Sequence, residues 1–319
     1  MKRFGSYFFA FLLLLLFLEV IIGFPIHLGR KPKETVIDEK SKIISEAEQK
    51  MEGVHLVESQ KAGGRDWELF AEAAEGYQGK GTWELKKIKV LYYNNEKVDF
   101  IVVGQRGEIN ANNKDMAISG QVITTTSNGY RFESEDIKYI AKDRLLKAPD
   151  KIKMLGPGDS KGDGLLLEGV GMDAWIEKKE MKILAHVKAV KNLYEGKSFK
   201  ISSDNAFFSG SSYLARFAGN VELSLDNYKV HGPEAEFIYK SGTDFLQSIM
   251  VMGGAKILGG DKYATSETVV YDPYEDKYTL KGLPRVVQNQ DEITGEQIVF
   301  LNGGKKVKVE NIKAKVENE

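Results

Sequence analysis

The chain has 319 residues, enough for one large or two medium domains with ample core. Lys and Arg total 45 against 46 Asp and Glu, a balance that excludes a chain-wide basic footprint for nucleic acid. Cysteine is absent, which excludes disulfides, thiol chemistry and thiolate metal ligands.

Phe4 to Phe24 is an almost unbroken apolar run, close to the ~20 residues that cross ~30 Å of hydrocarbon as a helix. Met1-Lys2-Arg3 supplies a positive cytoplasmic end, although Arg30, Lys31 and Lys33 flank the far side. The run is longer than the ~7–15 apolar residues of a secretory signal. No A-x-A-like site follows Ile21-Ile22-Gly23-Phe24-Pro25. Residues 1–30 therefore read as a retained transmembrane anchor, with a cleaved signal as the alternative. Glu19 inside the span either pairs with a partner helix or reaches back to the interface.

Residues 31–63 read as an amphipathic helical stalk. Val36, Ile37, Ile43, Ile44, Ala47, Met51 and Val54 recur at three- and four-residue spacing among Glu and Lys. A partner-binding helix is the alternative. Lys61-Ala62-Gly63-Gly64 breaks the pattern and marks a boundary.

From Trp67 the period is two. Trp67, Leu69 and Ala71 recur at every second position, mostly between charged residues, as do Trp83 and Leu85. At Lys86-Lys87 the phase shifts, so that Ile88, Val90 and Tyr92 carry on the apolar row, and an extra, bulged residue is expected there. Asn94-Asn95 and Asn128-Gly129 are hairpin signals. Met116, Ile118, Gly120 and Val122 form one inward row, and Tyr130 and Phe132 begin the return. Leu155 to Gly164 is a glycine-rich surface turn whose spacing matches neither a phosphate loop nor a calcium loop.

A second series begins near residue 195. Phe217, Gly219, Val221 and Leu223 alternate with Ala218, Asn220, Glu222 and Ser224, followed by Ala235, Phe237 and Tyr239. Ile249, Val251 and Gly253 come next, then Val269 and Tyr271, Leu280 and Gly282, and Ile298 and Phe300. An apolar strand running through a glycine thus recurs around Gly120, Gly219, Gly253 and Gly282. An aromatic (Tyr139, Tyr239, Tyr271, Phe300) follows each about eighteen to twenty residues later. Such a period signals stacked self-similar units. Glycine in a strand needs a reason, because it weakens the strand by up to ~1 kcal/mol. Either it lets the sheet curl, the reading preferred here, or it leaves room for a ligand. Val307 to Val316 is expected to close the fold as an alternating, lysine-bearing edge strand.

Chemistry-bearing patterns are missing. His27, His55, His186 and His231 are far apart, and no G-x-S-x-G or H-E-x-x-H motif occurs. Glu135 and Asp136, adjacent on a strand, face opposite sides and make no glycosidase pair. The chain is expected to be no enzyme, with no cofactor and no metal site.

Trp67-Glu68-Leu69-Phe70-Ala71-Glu72-Ala73-Ala74 resembles the opening phrase of the lipopolysaccharide-export family of LptC, as do the long strand at Trp83–Tyr92, the phrase Asp115–Val122 and the preceding single span. The second series resembles the OstA/LptA-like module: Ile201–Ala206, Phe217-Ala218-Gly219-Asn220-Val221, Val269–Asp272 and Leu280–Val286. The chain departs from both in its stalk and in carrying both modules at once. The expected fold is all-β: two consecutive curved antiparallel β-jellyrolls at 64–194 and 195–319, after a transmembrane helix and a helical stalk.

The resemblance implies an inner-membrane, single-pass protein with its bulk in the periplasm. It would carry lipopolysaccharide acyl chains along a greasy slit, supplied by the permease subunits of an inner-membrane ABC transporter. A further bridge protein or outer-membrane assembly protein would join through the C-terminal edge strand, and no nucleic acid is involved. Groove candidates in the first module are Trp67, Leu69, Trp83, Val90, Ile118, Val122 and Phe132. In the second they are Phe217, Val221, Leu223, Phe237, Val251, Tyr271 and Leu280. The competing expectation is a membrane-tethered β scaffold with the same rows, a closed core and no lipid.

Overall fold

The computed structural model describes residues 49–315, apart from 60–62, 78–80, 95, 159–162, 193–197, 226–227, 242–245, 261, 290, 302–305 and 311–312. The anchor with Glu19, the stalk up to residue 48, the middle of the 155–164 turn and Val316 lie outside the described residues. In chain order the strands are β1 (Gln49–Ser59), β2 (Arg65–Tyr77), β3 (Thr82–Asn94), β4 (Lys97–Asn110), β5 (Met116–Thr126), β6 (Arg131–Ile140) and β7 (Leu145–Leu155). Then come β8 (Leu166–Trp175), β9 (Glu180–Asn192), β10 (Ser198–Ser203), β11 (Asn205–Ser209), β12 (Leu214–Leu225), β13 (Tyr228–Tyr239) and β14 (Leu246–Gly259). The last are β15 (Lys262–Asp272), β16 (Lys277–Lys281), β17 (Arg285–Gln288), β18 (Asp291–Thr294), β19 (Gln297–Leu301), β20 (Lys306–Glu310) and β21 (Lys313–Lys315). All ladders are antiparallel, joining neighbours in sequence nearly throughout. The sheet continues across the boundary expected at 194/195, because β9 pairs with both β10 and β11.

The organising feature is a line of irregular backbone crossing the sheet at mid-strand. It runs through Gly53, Lys87, Gly120-Gln121, Gly171, His186, Gly219-Asn220, Gly253-Gly254 and Gly282-Leu283, all with positive φ. Register shifts fall on the same line, for example between Ser119 and Val122, Ala148 and Lys151, Ala218 and Val221, and Met252 and Ala255. A residue in the left-handed region reverses the local pleat and bends the strand. Repeated strand after strand, it creases the sheet lengthwise into two layers, each strand giving one half to each. Layer A holds the halves typified by Met116–Ser119 and Ile137–Ile140; layer B holds Val122–Thr126 and Arg131–Ser134. Beyond β9 some strands are cut at the crease, so that β11, β16, β19 and β20 lie in layer A and β10, β17, β18 and β21 in layer B.

Contacts between the layers establish the fold-back. Phe199 pairs with Leu225 at one end of β12, and Phe237 pairs with Ala215 near the other. Ten residues of straight strand would hold those positions ~33 Å apart. Yet the Phe199 and Phe237 rings meet at 5.3 Å between centroids. Tyr92 of β3 and Tyr139 of β6, three strands apart and so ~14 Å in a flat sheet, meet edge-to-face at 5.2 Å. All four glycines of the repeated phrase, Gly120, Gly219, Gly253 and Gly282, lie on this crease.

Three local expectations are corrected. Gln49–Ser59, the described part of the expected stalk, is a strand paired along its length with β2. Gly53 at its centre would cost a helix ~1 kcal/mol; here, with φ +63°, it continues the crease. Only Val54 of that strand is buried, so the apolar spacing that suggests a helix belongs to a mostly exposed edge. At Lys86-Lys87 the phase does change, both lysines being exposed between buried Leu85 and Ile88. No residue is inserted, however: Ala71↔Ile88 and Ala73↔Lys86 keep one register, and Lys87 turns the strand through φ +49°. The single closing strand expected at 307–316 is instead two short ones, β20 on β19 and β21 on β18, one per layer.

Candidate functional site

The alternating rows of the sequence all point between the layers. Trp67, Leu69, Val90, Ile118, Val122, Phe217, Val221, Leu223, Phe237, Val251 and Leu280 are 0–4% exposed and belong to one contiguous apolar core. Trp83, Phe132 and Tyr271 are half-buried against that core. Inward glycines are filled by neighbours: a Cβ on Gly107 would come 2.1 Å from Ile88 Cδ1, and one on Gly169 2.3 Å from Ile183 Cγ2. The interior is thus a lengthwise apolar seam closed by the protein's own side chains over most of its extent.

The open side of the crease is where the strand ends of the two layers approach. The aromatics recurring after the glycines lie there: Tyr139, Tyr239, Tyr271 and Phe300 all occupy layer A ends of their strands. In the second half the lips meet through Tyr228 of layer B and Tyr278 of layer A, 6.2 Å between centroids. Tyr278 in turn stacks on Tyr271 at 4.4 Å. Beside them lies an apolar pocket of ≈ 50 Å³ bounded by Ile257, Tyr263, Val286 and Phe300, room for a few water-sized groups.

In the first half the lips are joined by charge. Arg144, held at φ +46° after the short 3-10 turn Ala141–Asp143, places Nη2 2.8 Å from Asp66 Oδ1 and Nη1 3.6 Å from Glu177. The Asp66 contact is an ion pair whose N–H is not aligned for a hydrogen bond. Burial raises the Asp66 carboxyl above its usual range, and Arg144 opposes that shift. Burial likewise pushes the Tyr92 and Tyr139 phenols up. Sequence periodicity puts Tyr92 in an inward row and gives Tyr139 as a recurring aromatic; nothing in it pairs Asp66 with Arg144.

A second hollow, ≈ 840 Å³ and open, is lined largely by exposed charged side chains near the crease, including Glu133, Lys153, Glu168 and Lys188. These face one another across adjacent strands, so the charges alternate in sign. Val122, Ile123, Ile152 and Val170 also border it, so this face is charged and apolar by turns. Among the described residues no helix is long and apolar enough to cross a membrane.

A sheet creased along its length around an apolar seam, its lips aromatic in the second half and charged in the first, defines a β-jellyroll. The chain belongs to the LptC-related family of lipopolysaccharide assembly, whose profile matches residues 12–192. The profile of the LptA/LptD N-terminal domain, a lipopolysaccharide-transport family, matches residues 200–303, so an LptC-like module is fused to an LptA/OstA-like one. Among solved structures the chain is similar to LptH, the LptA-homologous periplasmic component of the lipopolysaccharide transport device of Pseudomonas aeruginosa. That likeness has 15% identity and a TM-score of 0.34 and covers 38% of this chain and 95% of that one. No curated protein matches. Both matched families are of lipopolysaccharide assembly and transport rather than of enzymes.

Proposed function

We propose that this chain is a membrane-anchored periplasmic bridge component that passes lipopolysaccharide acyl chains from an inner-membrane ABC transporter towards the outer membrane. The crease carries the reading: it gathers inward rows from both modules, 64–194 and 195–319, into one lengthwise apolar seam. An acyl chain gains roughly 0.8 kcal/mol per methylene on leaving water. Aliphatic walls hold it without directional bonds, so it is easily pushed onward. The run Phe4–Phe24 is the anchor, and the permease subunits of the transporter are its neighbours. Entry requires the lips to part, because the seam is filled in the structure. That filling favours the second reading, a tethered scaffold with a sealed core. Native mass spectrometry of the full chain, extracted gently from lipopolysaccharide-producing membranes, separates the two. Transport predicts a population carrying the mass of lipopolysaccharide; bare chain alone, after loading with excess lipopolysaccharide, overturns it.

The two ends of the sheet are unequal. Among the described residues β1 pairs with β2 alone, while β20 and β21 close the other end with one short strand per layer. Such edges accept a further strand through main-chain hydrogen bonds. The C-terminal edge is the docking point for the next bridge protein or the outer-membrane assembly protein. Deleting residues 306–319 is expected to abolish co-purification with that partner while moving the unfolding midpoint by only a few degrees. Loss of the cooperative transition would instead make these strands part of the core.

A further inference from the structure

Among the described residues, the first half contains a cluster of buried polar groups that meets across the two layers, besides isolated ones such as Thr124 and Ser134. Tyr92 and Tyr139 are almost fully buried, and neither hydroxyl has a hydrogen-bond partner among the described residues. Arg144 Nε is also buried without one, whereas Asp66 Oδ1 is held by its ion pair 2.8 Å from Arg144 Nη2. An unpaired buried polar group costs roughly 1–3 kcal/mol, so such atoms gathered at one spot need an occupant or a use. Tyr92 belongs to layer B and Tyr139 to layer A, and their rings touch across the seam. Asp66 and Arg144, their side chains 16% and 19% exposed, lie close enough for their charges to act on both phenols. Two hydroxyls and one N–H give both donors and acceptors, since each hydroxyl can do either. Nearby Val90 and Val102 are wholly apolar and buried, so a hydrocarbon lying along that row would run up to this group.

We propose that Asp66, Tyr92, Tyr139 and Arg144 form a polar site, capped by the Asp66–Arg144 pair, for the hydrogen-bonding linkage (ester, amide or hydroxyl) of a fatty acyl chain lying in the first half. The site rests on the transport reading and adds a specific stop to it. The lips part at the ion pair, the chain fills the seam, and the hydroxyls and guanidinium then meet the linkage. The unaligned contact between Arg144 and Asp66 suits a cap that opens, since no directional hydrogen bond is broken.

The test places a diazirine-bearing aliphatic residue at Val90, in the row of Tyr92, or at Val221 in the second half, in the full chain incubated with lipopolysaccharide. The double variant Tyr92→Phe/Tyr139→Phe removes the hydroxyls and keeps the rings. It is expected to lower photo-capture at Val90 about fivefold or more and to leave Val221 unchanged, with an unfolding midpoint equal to or above that of the parent. Asp66→Asn should raise capture at Val90 by loosening the cap. Unchanged capture at Val90 in the double variant overturns the polar site, whose atoms would then hold only water. Capture at neither position in the parent overturns the transport reading itself, and the site with it.

Discussion

Gly219→Val is expected to destabilise the fold by about 3 kcal/mol or more, a fall of roughly 6–12 °C in unfolding midpoint at ~2–4 °C per kcal/mol. Two independent costs add. Gly219 has φ +78°, where an L-residue loses roughly 1–2 kcal/mol and a β-branched one more. Space is missing too: a Cβ would stand 2.3 Å from Asp204 Oδ2 and 2.8 Å from Asp204 Cβ. Asp204 cannot simply swing away. Its N–H donates to the Gly219 carbonyl at 2.8 Å, and its carboxylate accepts from Asn220 Nδ2 at 2.9 Å. Gly254→Ala is the internal control. Its φ is +98°, but nothing lies within 4 Å of the added Cβ, so only the backbone cost of ~1–2 kcal/mol should appear. Thermal unfolding of the two variants checks the claim that the crease, and not a ligand's need for room, accounts for these glycines. Equal, small losses at both positions would contradict it.

The inward rows were legible in the sequence because a period of two is a direct image of the pleat. Phe217, Val221 and Leu223 announce their face by alternation alone, and the glycine between them announces the bend. The N-terminal edge was not legible. Met51 and Val54 lie three apart, which suits a helix as well as a sparsely buried strand, and the residue that decides between them, Gly53, acts through a backbone angle and not through hydropathy. The kink at Lys87 appeared as a phase change, but whether a residue was inserted depends on the partner strand's register. The closing strand divided because each layer needs its own edge, a demand that arises only once the sheet has creased. Least legible was the polar group under the first lip. Asp66 and Arg144 are far apart in the chain and meet only across the mouth, and a tyrosine in a core row gives no sign that its hydroxyl is unpaired.

The central claim is that the seam between the layers, filled by its own side chains at rest, admits hydrocarbon. The second large effect follows from the pleat: neighbouring residues on one strand face opposite media. Val221 is buried in the seam while Glu222 beside it points outward. Val122 is buried likewise, and Gln121 is exposed at the crease. Val251 and Leu223 extend the inward set. A chain of about ten methylenes within the seam is worth on the order of 8 kcal/mol relative to water, and on the outer face almost nothing. Occupancy should therefore differ by orders of magnitude between the two sides. The most direct measurement is photo-capture of lipopolysaccharide in intact cells, one diazirine residue at a time, at Val122, Val221, Leu223 and Val251 against Gln121 and Glu222. The account predicts strong adducts at the four inward positions and background at the two outward ones. Equal yields on both sides, or none at any inward position with the transporter active, would contradict it.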